Sequence, residues 1–574
     1  MEAAGLAFGA VSLSSLLRAG FDIYDQYRTI KDKSDDLADI GSRLELEIQK
    51  LRYIQKKCES DILKPDTLEL FVLAQQDINI RLARIYSLVL KYVPKSATGN
   101  LPAAGTSSAH HSPMMRFEQP VMNFKLTKRK TSLLTWIASD KKNLEEHLLR
   151  LQHLTDTVWN IATTEAERVR EDYLMRFHTI ENQHVSSAIA LPVDQYPGIV
   201  KAAKVKHLLA QLTREDMMDI EHHFIPLFSL QWHSRSLGEV MSEPWSLGTC
   251  ERAAGQHSFN QTTTAVLVEW RGAFMKSRTT APQAAEKRLD TLCQVLGTMH
   301  TVDKSTDSSK MDSYTRHADF GLLRCIGWTC SPDKSFERIG LIFQCPPEGG
   351  TRRPVSLKAK ILEMRAQKRI PPLGDRFDLA FGIANAVANV LSVGWRHRAI
   401  RSNTMLAFDH QRRLRNVYLT GFVYARDDAD TVWEMSNLPE SRTFALYRPP
   451  VEEFSSLHGQ DSGDNEEDSS NEQGITHGTS AVSAAHDIYG LGIVLLEIGL
   501  WDTIDKIKDR KHARLSVHEF QTTRLKEPLE QLSGRCGDIY RGVVERCLDH
   551  CGWTTDNLVE SLGGMLGSLK QCRA

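Results

Sequence analysis

His486-Asp487-Ile488-Tyr489-Gly490-Leu491-Gly492-Ile493-Val494-Leu495-Leu496-Glu497-Ile498 is the stretch on which the fold of this chain turns. Ile488–Ile498 is almost wholly apolar, and such a run reads as a helix buried on all sides. Upstream, Phe377, Phe381, Ala384, Ala388 and Leu391 recur at helical spacing. Further upstream the period changes. Thr262–Trp270 (TTTAVLVEW) and Arg338–Cys345 (RIGLIFQC) are β-branched runs that read as strands, with a helical stretch, Pro282–Leu296, between them. Strands first and helices afterwards predict a two-lobed α+β domain over 240–574. Inside it, 455–485 is a low-complexity insertion. Asp461–Gln473 holds six acids and no bases, so disorder is expected there.

The first 230 residues have another texture. Asp35–Lys57 places Leu37, Ile40, Leu44, Ile48, Leu51 and Ile54 on one helical face. Thr67–Tyr92 repeats the pattern, with Pro65 as its start signal. Leu144, Leu148, Leu151, Leu154, Val158 and Ile161 form a third stripe. Stripes this long pack on each other, so an all-α helical bundle is expected over 1–230, with a flexible loop at 93–120. Ala3–Leu17 carries no charge for fifteen residues, short of the roughly 20 that span a bilayer. Its Leu6, Phe8, Val11, Leu13, Leu16 and Leu17 suit either a buried first helix or a conditional membrane-inserting segment. Lys125, Lys128, Arg129 and Lys130 put four basic residues in six. They read as a solvated helix start or as a contact for anionic lipid headgroups.

The 574 residues contain 71 Lys and Arg against 72 Asp and Glu, which argues against a nucleic-acid-coating protein. A mean hydropathy of −0.34 excludes a polytopic membrane protein. None of the ten cysteines forms a CxxC pair. Reduced intracellular thiols, no metal and a cytoplasmic location with conditional membrane association are therefore expected. His222-His223 lacks a spaced third ligand. Walker A, GxSxG and HExxH motifs are absent from the sequence.

One constellation in the second half carries a resemblance. His397-Arg398-Ala399-Ile400-Arg401-Ser402-Asn403-Thr404 resembles the protein-kinase catalytic loop, H-R-D-L-x-x-x-x-N. Val417-Tyr418-Leu419-Thr420-Gly421-Phe422 resembles the strand that carries D-F-G, and Tyr447-Arg448-Pro449-Pro450 resembles the end of the activation segment. The helix from Asp487 through Gly492 to Glu497 resembles the kinase C-lobe helix whose Asp braces the catalytic loop, and Arg541–Leu548 resembles a late kinase helix. The departures bear on the chemistry. Ala399 stands at the base position, Thr404 at the strict Asn position with Asn403 one residue early, and Val417–Tyr424 holds no acid. Phosphoryl transfer needs those carboxylates and that amide. The resemblance therefore implies a pseudokinase with no catalytic residues and no required cofactor. A metal-free nucleotide cleft at Arg271, Phe343, Gln344, Cys345 and Gly421 remains a candidate, with Glu286 as a partner for Arg271.

The opening, MEAAGLAFGAVSLSSLLRAGFDIYDQY, resembles the fungal HeLo, or prion-inhibition and propagation, domain over roughly 1–220. Together with a degenerate kinase-like half, this resemblance implies a fungal cell-death or heterokaryon-incompatibility effector. In such a protein a helical bundle releases a membrane-disturbing N-terminus under pseudokinase control. The implied partners are an anionic membrane, a protein receptor or a second copy of the chain, and no nucleic acid. No amyloid-forming tail is recognised before Ala574, so prion-type templating is not expected. Two other readings stand beside this one: a non-catalytic signalling scaffold, and a divergent Ser/Thr kinase with a relocated base such as Asp409 or Asp427. Ser and Thr within 462–480 offer sites for phosphorylation, although an inert insertion is the plainer reading.

Overall fold

The computed structural model describes residues 35–59, helical positions within 74–88, and 140–182, 197–212, 223–232, 245–252, 262–272, 282–299, 321–330, 338–346, 354–408, 417–422, 425–427, 442–450, 479–549, 553 and 557–572. The segments 3–17, 93–120, 125–130 and 461–473 lie outside the described residues. The chain divides into two compact units, Met1–Val200 and Lys201–Ala574.

Among the described residues of the first unit every element is helical: α1 (Asp35–Glu59), positions within 74–88, α2 (Lys141–Ala162) and α3 (Glu165–Asn182). The next helix, α4 (Pro197–Leu212), carries the chain across the division. Ile40, Leu44, Ile48, Leu51 and Ile54 of α1 meet Ile78, Leu82 and Ile85, and Leu144, Leu148, Leu151 and Val158 of α2, in one core. The third stripe drifts from its expected course. Ile161 is 40% exposed and Leu154 only partly buried, while Thr155, Trp159 and Ala162 go inside. At about 100° per residue, Leu154 and Ile161 lie about 80° and 100° round the helix from Leu144, at the edge of the buried stripe.

This core holds a polar cluster. Lys50 Nζ lies 3.1 Å from Glu47 Oε1 and 2.6 Å from Asp156 Oδ1, and the Thr155 hydroxyl donates to the Glu47 carboxylate. Burial pushes the Glu47 carboxyl up from its ordinary value, opposed by the Lys50 ammonium.

The second unit mixes α and β structure. Five antiparallel strands, β1 (Leu230–Trp232), β2 (Trp245–Arg252), β3 (Thr262–Gly272), β4 (Cys325–Cys330) and β5 (Arg338–Gln344), lie in the order β1-β2-β3-β5-β4. The sheet and its edge draw in residues 223–232, which the sequence reading left mostly with the helical half. Helix α5 (Pro282–Met299) intervenes between β3 and β4 and packs on β4. Asp290 pins it there, accepting from Trp328 Nε1 at 2.7 Å and from the His223 amide at 2.8 Å.

Beyond the sheet, helices dominate: α6 (Leu357–Ala366), α7 (Leu373–Ser392), α8 (Thr479–Leu500), α9 (Ile504–His512), α10 (Lys526–Cys536), α11 (Asp538–Leu548) and α12 (Leu558–Gln571). Two small antiparallel ladders lie among them. One joins β6 (Val355–Ser356), β8 (Met405–Ala407) and β9 (Val417–Leu419), and the other pairs β7 (Trp395–Arg396) with β10 (Arg426–Asp427). Helix α8 is the axis of this part, packing on α7, α10 and α11. Its side chains from Ala484 to Leu500 are buried except His486, which is half-buried. The helix begins at Thr479, so 479–485 is helical where the sequence reading expects disorder. That stretch, TSAVSAA, is rich in Ala, the best helix former, and runs directly into the apolar core segment.

Candidate functional site

The carboxylate of Asp487, near the start of the buried part of α8, accepts the backbone N–H groups of His397 at 2.7 Å and Arg398 at 2.6 Å. Arg398 sits at φ +64°, a left-handed backbone costing an ordinary residue about 1–2 kcal/mol. The two charge-assisted bonds to Asp487 offset that cost. Burial pushes the Asp487 carboxyl up to about 6, against the opposing pull of the two amides.

The turn that follows is closed on itself. His397 Nε2 faces the Thr420 carbonyl at 2.9 Å, and its Nδ1 accepts the Ala399 N–H at 3.2 Å. Those two contacts assign the neutral tautomer with the proton on Nε2. Ala399 is buried and its methyl packs against Phe444. Thr404 is buried, while Asn403 is exposed. The Thr404 hydroxyl lies 3.0 Å from the Ala399 carbonyl and 2.9 Å from that of Arg401, and accepts the Arg401 amide at 3.2 Å. Set against the kinase loop that the sequence resembles, this loop carries a methyl at the position of the base and a self-bonded hydroxyl at the position of the Asn.

Gly421 lies in the stretch that resembles the D-F-G strand. Its φ is +95°, and a Cβ there would stand 2.7 Å from Thr404 Cγ2. A carboxylate side chain at 421 would need both a new backbone conformation and a displaced Thr404. The Gly421 N–H donates to Glu269 Oε2 at 2.9 Å. Glu269 is an acid in the middle of β3, 1% exposed, on the strand face opposite Val266, Val268 and Trp270. It was missed in the sequence, although a single acid within the run Val266-Leu267-Val268-Glu269-Trp270 is a legible signal of a buried, partnered charge.

The other candidate residues are spread apart. Phe343 and Gln344 pair with Leu267 and Val266, whereas Arg271 pairs with Ile339, five residues back along β5 and therefore about 17 Å away. The Cys345 amide is engaged by the Ala265 carbonyl at 2.9 Å, the Gln344 amide by that of Arg324 at 2.8 Å, and Pro346 has no N–H. Glu286 of α5 is partly buried. Among the described residues the Gln344 and Cys345 amides are used, Glu269 is buried next to Gly421, and positions 399, 404 and 421 carry no side-chain acid or amide.

At the other end of the apolar run, Glu497 Oε1 accepts from Tyr447 Oη at 2.7 Å and from the Ile504 amide at 2.8 Å, and Ser402 Oγ lies 2.9 Å from Tyr447 Oη. Burial pushes Glu497 up to about 7 and Tyr447 well above its ordinary range. Gly492 lets α8 approach α11, since a Cβ there would meet Cys547 Cβ at 2.8 Å. Arg541, half-exposed on α11, bonds Glu545 one turn along at 2.7 Å and Ser533 at 3.3 Å.

Cys250, Cys293, Cys325, Cys330, Cys345, Cys536, Cys547 and Cys572 form no disulfides. Among the described residues no three His, Cys, Asp or Glu side chains gather as metal ligands, and no single helix is long and apolar enough to cross a membrane. Compared with known proteins, the chain matches no family model and no curated sequence.

Proposed function

We propose that this chain is a regulated membrane-disrupting effector of the fungal cell-death type, in which a HeLo-like helical unit is governed by a kinase-like unit that performs no phosphoryl transfer. The observation that carries the non-catalytic half is the hydrogen bond from Gly421 to Glu269. Phosphoryl transfer needs cations around the phosphates, and β3 instead carries a buried acid bonded to backbone. Ala399 and Thr404 support the same reading. The membrane half rests on the uncharged segment Ala3–Leu17, on the basic run at 125–130, and on the resemblance of the first thirty residues. The protein is proposed to be cytoplasmic and to meet an anionic membrane conditionally.

The test is dye leakage from vesicles containing anionic lipid. Full-length protein is expected to release dye, and a chain lacking residues 1–20 to release none. Leakage that persists unchanged in the truncated chain overturns the proposal. Circular dichroism of Leu13→Glu separates the scaffold reading. Lost helicity marks Leu13 as bundle core, whereas full helicity with lost leakage supports the membrane role. Radiolabelled phosphate transfer under Mg²⁺ or Mn²⁺ by the folded chain would overturn the non-catalytic half.

A further inference from the structure

The polar cluster of the first unit stands on the seam between α1 and α2. Glu47 and Lys50 lie one turn apart on α1, on the helical face they share with Leu51 and Ile54. Thr155 and Asp156 lie on α2, and Thr155, 0% exposed, interrupts the buried stripe of that helix. Lys50 Nζ stands 3.1 Å from Glu47 Oε1 and 2.6 Å from Asp156 Oδ1, so one ammonium is held between carboxylates of two different helices. The Thr155 hydroxyl adds a second tie across the seam by donating to Glu47. Side-chain exposure falls from 43% at Asp156 to 7% at Lys50 and 1% at Glu47, so the cluster runs from water inward. Tyr53, one turn beyond Lys50, meets Trp159 of α2 edge-on, with ring centroids 5.1 Å apart. The rest of this core is apolar.

Two consequences follow from charges in such a seam. Apolar contact is non-directional, whereas this set of ions is satisfied in one register only, so it fixes where α1 lies on α2. Buried ions have also lost their hydration, and they recover it when the helices part. An apolar side chain at the same place would lose free energy on parting. The cluster therefore sets the closed arrangement and at the same time lowers the cost of leaving it. Asp156 already meets water, so hydration enters there and reaches Lys50 and then Glu47. Burial pushes the Glu47 carboxyl up from its ordinary value, in keeping with a charge held at the expense of hydration.

We infer that Glu47, Lys50 and Asp156 form a releasable catch between α1 and α2, the point at which the first unit opens. The inference deepens the membrane reading and rests on it for its purpose, since a bundle that turns apolar surface toward lipid has to part its helices first. The catch itself stands on the contacts of the first unit alone.

The experiment is hydrogen–deuterium exchange on full-length protein, read on peptides covering 35–59 and 141–162, since exchange reports local opening. The melting temperature and dye leakage from vesicles of phosphatidylserine and phosphatidylcholine are measured on the same samples. Glu47→Leu/Lys50→Met replaces the two inner ions by apolar side chains of similar size. Its α1 is expected to exchange at least tenfold more slowly than in the wild type, with an equal or higher melting temperature and leakage slowed at least tenfold. Asp156→Asn keeps the shape of the outer member and removes its charge. Its α1 is expected to exchange at least threefold faster, and its leakage to quicken.

Wild-type exchange in a folded double variant overturns the inference. Where the double variant melts early, Asp156→Asn decides, and wild-type exchange in that variant overturns the inference equally. Slowed exchange with undiminished leakage overturns it as well, because the seam would then not be where the unit opens. Absence of leakage from the wild type and every variant sinks the membrane reading alone, and exchange still decides the catch.

Discussion

Asp487 and Glu497 stand ten residues apart on one buried helix, and both are held nearer neutrality than a free carboxyl. Glu497 is the more informative. Burial raises it from 4.5 to about 7, so the fold favours its protonated form. A raised carboxyl contributes stability that is fully present below its unfolded value, and the contribution is lost as pH rises through the folded value. The window is therefore pH 4.5 to 7, and the loss across it is about 3 kcal/mol, since one unit is worth about 1.4 kcal/mol. Glu497→Gln should flatten this slope. Subtracting the variant's stability curve from the wild type's isolates the effect, because Asp487 titrates equally in both. A difference curve without slope between pH 4.5 and 7 would refute the burial argument. His397 makes a related point at the residue scale. Both ring nitrogens are spent on backbone, so a histidine that reads as part of a catalytic loop serves as a spacer between the turn and Thr420.

At the scale of elements, glycine decides how closely helices approach. Helix α8 touches α11 at Gly492, where an added methyl would lie 2.8 Å from Cys547 Cβ and 3.0 Å from Leu548 Cδ2. Neither neighbour is the loose end of a long side chain. Overpacking of this kind costs about 1–3 kcal/mol. Gly492→Ala should therefore lower the melting temperature of the second unit by several degrees, and an unchanged melt would show that the two helices slide apart freely. The strand and helix types were legible in the sequence. β3 follows its β-branched run, α8 its apolar run, and α1 its three-and-four repeat. What stayed illegible was which residues the turns bring together. Arg271 and the end of β5 stand together in the expected nucleotide cleft, yet the antiparallel register separates them. Gly421 and Glu269, 152 residues apart, are bonded.

For the chain as a whole, an acid in the cleft and a filled position at Gly421 predict how it meets nucleotide. A ligand at one hundred times its dissociation constant stabilises a fold by about 2.7 kcal/mol, several degrees in a domain of this size. Millimolar ATP, with or without Mg²⁺, should move the melting temperature of full-length protein by less than about 1 °C. A clear upward shift would mean that nucleotide displaces the Glu269 contact, and the cleft would then be a binding site. The near-zero net charge sets no such limit on local chemistry. The arginines of 396–415 and the acids of 461–472 cancel in the total while lying in different parts of the sequence.

The sequence by itself determined the element types and the change from a helical first part to a mixed second part, because hydrophobic period is a local property of the chain. It also determined that a base, an amide and a carboxylate are missing from the stretch that resembles a catalytic loop, since a missing functional group needs no coordinates. Only the tertiary structure decided what stands in their place: a methyl against Phe444, a hydroxyl turned back on its own loop, and Glu269 bonded to Gly421. It alone set Lys50 between Glu47 and Asp156. Those contacts join residues far apart in the chain, and their geometry follows from strand register and helix packing, which no local pattern encodes.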